Sequence, residues 1–200
     1  MTPKVSTEYM RARRSEILVA ATTVFSEKGF HAATLDDIAT EAEISKGSIY
    51  VHFDSKEAMI DGLSQLWQTT DDEVFDAAEK EPRAIDGLAY VAKGIIRRMQ
   101  RKDFNDSVRL GLFIWAEVLI NPAVQKSQAK LAGEWLRRMH GLAVRAQEAG
   151  DIGPRYDPAA VVLFLGSVGQ GLLIGVAWNY KSDQSNLERL VDSFLAGLRP

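Results

Sequence analysis

Residues 34–57 have the sequence TLDDIATEAEISKGSIYVHFDSKE, and this stretch decides how the N-terminal part of the chain folds. Thr34 followed three residues later by Asp37 is the pattern of a capping box, which predicts that a helix begins here. Ser45 can cap a second helix and Ser55 a third. Two short helices joined by a tight turn form a helix-turn-helix, whose second helix can enter the major groove of DNA.

The second helix of this motif has two faces of different character. Ile49 and Phe53 lie four residues apart and are expected to point inward. The outward positions offer hydroxyls and an ammonium for base edges, a glycine for close backbone approach, and a phenol and an imidazole for phosphates. The starts of the neighbouring helices add two candidate phosphate contacts. The predicted DNA-binding residues are Thr34, Ser45, Lys46, Gly47, Ser48, Tyr50, His52 and Lys56.

Several of these residues also have a simpler explanation. Thr34 and Ser45 can serve as helix caps alone. The ring of Tyr50 can pack against the protein while its hydroxyl meets water, and His52 taken by itself indicates neither role. The combination of all these residues at these spacings favours contact with DNA.

Composition restricts the class of protein. The net charge is −3 and the sequence pI is about 5.7, so the chain as a whole is not a basic nucleic-acid binder. Positive charge is local: Lys4, Arg11, Arg13 and Arg14 predict a basic N-terminal arm that contacts phosphates, with a solvated tail as the alternative. The absence of cysteine excludes disulfides, zinc–cysteine sites and thiol catalysis. The first residues lack the apolar core of a signal peptide, which favours a soluble cytoplasmic protein.

Helical periodicity continues along the chain, and no segment shows the sustained period-two alternation of strands. Asp157-Pro158 has a cap and a first-turn proline in the order of a helix start. Ser185 with Glu188 repeats the capping-box pattern before the last helix. The predicted fold class is all-α, and the longer predicted helices lie at about 11–28, 55–80, 84–101, 106–120 and 122–149.

One predicted helix is apolar enough to raise the question of a membrane. Residues 159–180 carry no charge and are long enough to span a bilayer. Gly171 and Gly175 have the spacing of close helix contacts in membranes. Polar residues such as Gln170 and Asn179 instead favour a helix that is buried on most sides, partly against a second subunit. We therefore predict no membrane interaction.

The sequence around the motif resembles the N-terminal domain of TetR-family transcriptional regulators over about residues 11–57. The resemblance implies that the residues matching Ser45, Gly47, Ser48 and Tyr50 lie in or beside the major groove. It rests on three runs: FSEKGF at 25–30, TLDDIATEA at 34–42 and ISKGSIYVHFDSKE at 44–57.

The resemblance also assigns a backbone-binding role and shows one departure. Residues matching Thr34, His52 and Lys56 commonly hold the DNA backbone in the family. Family members often have glycine at the turn, where this chain has Glu43. If that position requires a positive φ, glutamate costs about 1 kcal/mol relative to glycine.

The resemblance further implies a two-domain homodimer. Residues 1–57 form the DNA-binding domain, and residues 58–200 form a helical bundle that binds an effector and dimerises through its last two helices. The homodimer would bind a near-palindromic operator on double-stranded DNA. Small and apolar residues suit such a two-fold interface. The predicted interface residues are Gly166, Gly169, Leu173, Leu187, Leu190 and Phe194.

An effector pocket is expected among aromatic and methionine residues of the bundle. Glu117 interrupts an apolar run, so it can meet a cationic ligand, pair with Arg109, or lie on the solvated edge of its helix. Each aromatic residue alone can equally be plain core. The pocket as a whole would suit a small apolar or aromatic effector. The candidate residues are Trp67, Met99, Phe113, Trp115, Glu117, Trp135, Met139 and Phe164.

Catalysis is not expected from this sequence. The histidines His31, His52 and His140 lie far apart, and no metal-binding spacing, nucleophile elbow, P-loop or dinucleotide fingerprint is present. We therefore predict no metal, no cofactor and no enzymatic activity. The alternatives are a ligand-responsive DNA-binding regulator, more specifically a repressor, and a dimeric DNA-binding protein without an effector.

Overall fold

A computed structural model describes residues 6–101 and 104–200, which are helical throughout apart from turns and short loops. The all-α fold class is confirmed. The helices are α1 (Thr7–Lys28), α2 (Leu35–Glu41), α3 (Lys46–Tyr50), α4 (Lys56–Ala78), α5 (Ala84–Arg98), α6 (Phe104–Ile120), α7 (Pro122–Glu148), α8 (Pro158–Ala177) and α9 (Gln184–Ala196).

Side-chain caps explain where these helices start. The predicted capping box of Thr34 and Asp37 is present at α2. Asp157 caps α8 with Pro158 in the first turn, as predicted. The last helix differs from the prediction, because the carboxylate of Asp183, two residues before Ser185, accepts the Ser185 N–H at 2.9 Å and starts α9 earlier.

Helix α1 also begins earlier than its apolar pattern indicated. Ser6 accepts the backbone N–H of Tyr9 and caps the helix at its true start. Gly29 ends it with φ 76° and ψ 160°, a region of backbone space that is essentially restricted to glycine. The glycine stop predicted for this helix is therefore confirmed, and its start moves towards the N-terminus.

By compactness, the chain divides into two units. The first contains residues 1–66 and 109–128, and the second contains residues 67–108 and 129–200. Helices α4, α6 and α7 each contribute residues to both units. The boundary predicted after residue 57 follows the DNA-binding motif and stays a prediction, since the compact units do not divide the chain there.

The core of the first unit joins the three N-terminal helices to the start of α4. The side chains that were expected to point inward from α1, Ile17, Leu18, Ala21, Val24 and Phe25, are all buried. Gly62 of α4 lies against Leu18 and Phe53, where an added Cβ would stand 3.1 Å from each side chain. This close approach holds α4 against the end of the helix-turn-helix.

The core of the second unit is a continuous apolar cluster from α4, α5, α7, α8 and α9, with Phe75, Leu88, Met139, Val162 and Leu195 among its buried members. Ion pairs link two of these helices at the surface of the unit. Arg138 of α7 donates to Asp72, Asp76 and Glu79 of α4 and lies 4.6 Å from the ring centroid of Phe75.

Helix α8 is unusually exposed for its composition. Among the described residues, it is the single helix that is by itself long and apolar enough to cross a membrane, and 17% of its most apolar window is buried. Leu163 is 66% exposed and Phe164 is 50% exposed. Contiguous exposed apolar surface of this kind is typical of sites that interact with another protein or a membrane.

Candidate nucleic-acid interface

The turn between α2 and α3 contains Glu43 in a left-handed conformation, with φ of 53°. The N–H of Glu43 donates to the Thr40 carbonyl at 3.1 Å, and the N–H of Ile44 donates to the Ala39 carbonyl at 3.0 Å. A side chain at such a φ costs about 1 kcal/mol relative to glycine. The turn therefore does require a positive φ at Glu43, and the backbone strain predicted for that case is present.

Helix α3 separates buried from exposed side chains as its periodicity predicts. Ile49 is fully buried and Phe53 is 2% exposed, whereas Tyr50 is 52% exposed. An added Cβ on Gly47 would have one neighbour within 4 Å, the hydroxyl oxygen of Ser45 at 3.8 Å. The outer face of α3 is therefore open, and its backbone is accessible at Gly47.

The two predicted cap hydroxyls do act as caps. Ser45 Oγ accepts the Ser48 N–H at 3.2 Å and lies 2.9 Å from Ser48 Oγ. Thr34 Oγ1 accepts the Asp37 N–H at 3.1 Å and donates to Asp37 Oδ2 at 2.8 Å. Both residues are exposed, so any contact that they make with DNA comes in addition to capping.

Lys46 forms an ion pair across the turn. Its Nζ lies 2.7 Å from Oδ2 of Asp36 in α2, and the hydrogen bond raises the pKa of Lys46. Asp36 was absent from the predicted site, because the two residues are ten positions apart and only the turn brings them together. Any phosphate or base that Lys46 binds has to compete with this carboxylate.

His52 is half-buried and lies at the end of the helix-turn-helix. Burial lowers the pKa of its imidazole, and the positive charges of Arg14 and Arg13 act in the same direction. The Arg14 guanidinium donates to the His52 carbonyl at 2.5 Å and lies 4.0 Å from the ring centroid of Phe53. The lowered pKa of His52 therefore favours the neutral imidazole in the free protein.

The predicted basic arm needs correction. Arg11, Arg13 and Arg14 belong to α1, because the Ser6 cap starts the helix before them. Arg13 pairs with Glu16 at 2.7 Å, and Arg14 holds the end of the helix-turn-helix. Lys4 lies outside the described residues. The positive charge is thus carried on a helix rather than on an extended arm.

Lys56 was predicted to bind phosphate, but in the structure its ammonium binds backbone carbonyl groups. Its ammonium donates to the carbonyl oxygens of Phe30 at 2.6 Å, His31 at 3.3 Å and Ala33 at 2.9 Å. An ammonium has three N–H donors, so this set uses all of them. Lys56 therefore fastens the loop between α1 and α2, and a phosphate would have to displace one of these bonds.

The predicted effector residues divide between the two compact units. Phe113, Trp115 and Glu117 belong to the first unit. The ring of Phe113 stands 3.6 Å from the position of a Cβ on Gly29, and Trp115 is 36% exposed. Glu117 is 3% exposed and pairs with His31 at 2.8 Å, so it is neither solvated nor paired with Arg109.

The remaining effector candidates belong to the second unit, where they have different surroundings. Met139 is fully buried in the core, and the Trp135 ring packs edge-on against Phe75 at 6.2 Å. Trp67 is half-buried. Phe164 stacks on Phe194 at 4.5 Å on an exposed face. These four residues therefore have the surroundings of core and surface side chains.

An open cavity of about 250 Å³ lies in the second unit, where α5 ends and α8 ends. Met99 lines it together with Phe104, Val176, Tyr180 and Lys181. Of the eight predicted effector residues, Met99 is the one that contributes to this cavity. Its lining is mixed, because Asn105, Asn179, Ser182 and Gln184 also contribute to it, and the aromatic pattern of the sequence did not indicate this polar share.

The predicted interface residues on α8 and α9 differ in how exposed they are. Leu190 is 65% exposed, and Phe194 is stacked on the exposed Phe164. Gly166 faces inward instead, with the Trp135 ring 3.5 Å from the position of its Cβ. The other members are half-buried: Gly169, Leu173 and Leu187.

Comparison with known proteins places these features in one family. The family model described as bacterial regulatory proteins, tetR family, matches residues 17–63. The transcriptional regulator UidR of Escherichia coli K12 is 32% identical over 190 residues, covering 93% of this chain and 89% of UidR. Two further bacterial regulators are 46% and 49% identical over 59 and 61 residues, which are 29% and 30% of their own lengths.

Solved structures share the fold over nearly the whole chain. GusR of Salmonella enterica is 25% identical with a TM-score of 0.78, over 98% of both chains. FadR of Bacillus subtilis, in complex with stearoyl-CoA, is 20% identical with a TM-score of 0.74, over 91% of this chain and 97% of that one. Since the full-length match to UidR joins the helix-turn-helix to the helical remainder, the protein belongs to the TetR family of bacterial transcriptional regulators.

Proposed function

We propose that this protein is a homodimeric cytoplasmic repressor that leaves its operator when a small apolar or aromatic effector binds. Each subunit would place α3 in the major groove of one half-site of a near-palindromic operator. Effector binding in the second unit would change the spacing of the two α3 helices and thus the affinity for the operator.

The observation that carries the DNA-binding part is the outer face of α3. It combines an open backbone at Gly47 with the exposed side chains of Ser45, Lys46 and Tyr50, above a buried anchor of Ile49. Hydroxyl and ammonium groups at such positions can bind base edges and phosphates. His52 and Thr34 are proposed to contact the backbone, whereas Lys56 leaves the set because its donors are already used.

The exposed face of α8 and α9 supports dimerisation. Leu163, Phe164, Val168 and Leu190 are apolar and are between 39% and 66% exposed. A second copy of the same surface would cover them through an isologous contact, which is the usual arrangement in homodimers. Such burial would also explain why a helix as apolar as α8 is compatible with a soluble protein.

The effector part rests on the cavity in the second unit, where Met99, Phe104 and Tyr180 lie beside polar residues such as Asn105 and Gln184. At about 250 Å³ it is slightly smaller than typical ligand pockets, which begin at about 300 Å³, so we propose a small ligand. The structure of FadR with stearoyl-CoA is a precedent for a ligand on this fold. The competing function is a dimeric DNA-binding protein without an effector.

Selection of bound DNA from a random pool tests the DNA-binding proposal. The wild type should enrich a near-palindromic site, and Tyr50→Ala should bind that site more weakly at fixed salt while remaining a dimer. Tyr50→Phe, which keeps the ring, separates the hydroxyl contact from ring packing. Equal binding of the selected site by the wild type and Tyr50→Ala would exclude this role for α3.

Sedimentation analysis tests the dimer. Leu190→Glu places a charge on the proposed interface and should shift the protein towards monomer. Leu119→Glu is the matched control, because Leu119 is 84% exposed on α6 and lies outside the proposed interface. A thermal-shift screen with small aromatic compounds, repeated with Met99→Ala, separates the effector model from its rival, since the rival predicts no response.

A further inference from the structure

Glu117 is the most buried charged side chain among residues 6–101 and 104–200, with 3% of its surface exposed. It lies on the part of α6 that belongs to the same compact unit as the helix-turn-helix. Burial of an ionised carboxylate is costly unless a partner compensates it. The partner of Glu117 therefore decides what this residue does.

That partner is His31 in the loop between α1 and α2. The imidazole Nε2 lies 2.8 Å from Glu117 Oε1, although 73% of the His31 side chain is exposed. His31 therefore extends from the surface to a buried acceptor. Because most of its side chain stays in solvent, its burial adds little to the stability of the protein. The effect of the pair is to fix the loop against α6.

The same loop, residues 29–33, is fastened from two further sides. The Lys56 ammonium at the start of α4 donates to three carbonyl groups of the loop. The ring of Phe113, four residues before Glu117 on α6, packs beside Gly29. Thr34, the next residue after the loop, caps α2. The position of the loop thus sets where α2 begins.

We propose that Glu117 is a positioning residue for DNA recognition. Through His31 it holds the loop at residues 29–33, and the loop fixes the start of α2, against which α3 packs. This inference rests on the proposed role of α3 in DNA binding. It also moves Glu117 from the effector-binding set, where its sequence context placed it, to the DNA-binding unit.

Glu117→Met is the decisive variant, because methionine keeps the length and packing of the side chain but cannot bind His31. We expect the melting temperature to be retained, because replacing a buried charge with an apolar group is often neutral or stabilising. The N–H groups of Ala33 and Asp37, which bond within the loop and the cap, should exchange with solvent about fivefold faster, and the selected operator should bind about fivefold more weakly.

Glu117→Gln tests rescue, since its amide oxygen can still accept a hydrogen bond from His31. We expect it to restore slow exchange at Ala33 and Asp37 and most of the operator affinity. In the double variant H31A/E117M, the two losses should not add, because the residues act as one unit. Leu119→Gln, an exposed change on the same helix, is the control for α6.

The two arms of the experiment separate failure of this inference from failure of the proposed function. If wild type and Tyr50→Ala bind the operator equally, the proposed function fails, while hydrogen exchange still decides whether Glu117 holds the loop. A folded Glu117→Met protein with wild-type exchange at Ala33 and Asp37 and wild-type operator affinity would overturn the inference. Additive losses in H31A/E117M would also contradict it.

Discussion

The ammonium of Lys56 donates to the carbonyl oxygen of Phe30 at 2.6 Å and lies 4.7 Å from the centroid of the Phe30 ring. One side chain at the start of α4 thus binds both the backbone and the ring of the loop that precedes α2. A residue that the family resemblance associates with phosphate is here part of the scaffold that supports the helix-turn-helix.

Lys56→Met should therefore reduce stability. The variant keeps the aliphatic chain but leaves three carbonyl groups without their charged donor, and we expect the free energy of unfolding to fall by about 1–3 kcal/mol. Urea denaturation measures this change. Lys126→Met, at an exposed position of α7 in the same unit, is the control and should be close to neutral. An unchanged unfolding midpoint in Lys56→Met would argue against the scaffold role.

Glu43→Gly should stabilise the protein. Glycine removes the penalty of a side chain at φ 53°, worth about 1 kcal/mol before the extra freedom of glycine in the unfolded chain is subtracted. Glu43→Ala removes the same charge but keeps a Cβ, so it should not reproduce the gain. Thermal denaturation of the three proteins separates backbone strain from charge. Equal stability of the glycine and alanine variants would show that strain is not the cause.

Lys46→Gln should weaken operator binding and reduce its salt dependence. Loss of one phosphate contact lowers the slope of log affinity against log salt by about 1. Asp36→Asn should act in the opposite direction, because it frees Lys46 from its ion pair and removes a negative charge near the DNA. A titration series in salt measures both effects. Identical slopes for Lys46→Gln and the wild type would exclude a phosphate contact by Lys46.

Asp37 should make stability depend on acid pH. Hydrogen bonds from Lys28, and then from the backbone and hydroxyl of Thr34, lower the pKa of this carboxyl group to about 2. A folded-state pKa below the ordinary value of 3.8 means that the folded protein resists protonation. The contribution is therefore complete above about pH 4 and is lost as the pH falls towards 2.

Chemical denaturation between about pH 5 and pH 2.5 checks this dependence. The stability difference between wild type and Asp37→Asn should shrink as the pH falls, because the unfolded wild-type chain binds a proton at this carboxyl group before the folded protein does. Asp54→Asn, an exposed change in the same unit, is the control. A difference between wild type and Asp37→Asn that stays constant with pH would show that the carboxylate charge does not stabilise the cap.

Local patterns predicted most of the fold because helix starts and stops depend on neighbouring residues. The capping box of Thr34 and Asp37, the glycine stop at Gly29 and the cap at Asp157 are each contained within a few residues of sequence. The inward positions Ile49 and Phe53 followed from the helical period. The start of α1 was misplaced, since the charged residues after Ser6 have no apolar pattern and only the cap marks the helix.

The sequence by itself thus determined the helical fold, the family and the two faces of α3, because these depend on short-range periodicity and on a contiguous motif. Only the tertiary structure decided which charges meet. Glu117 finds His31 from 86 positions away, and Lys56 binds carbonyl groups more than 20 residues before it. Such pairs have no signature in sequence, since their energy arises from burial and from distances that exist only after the helices have packed.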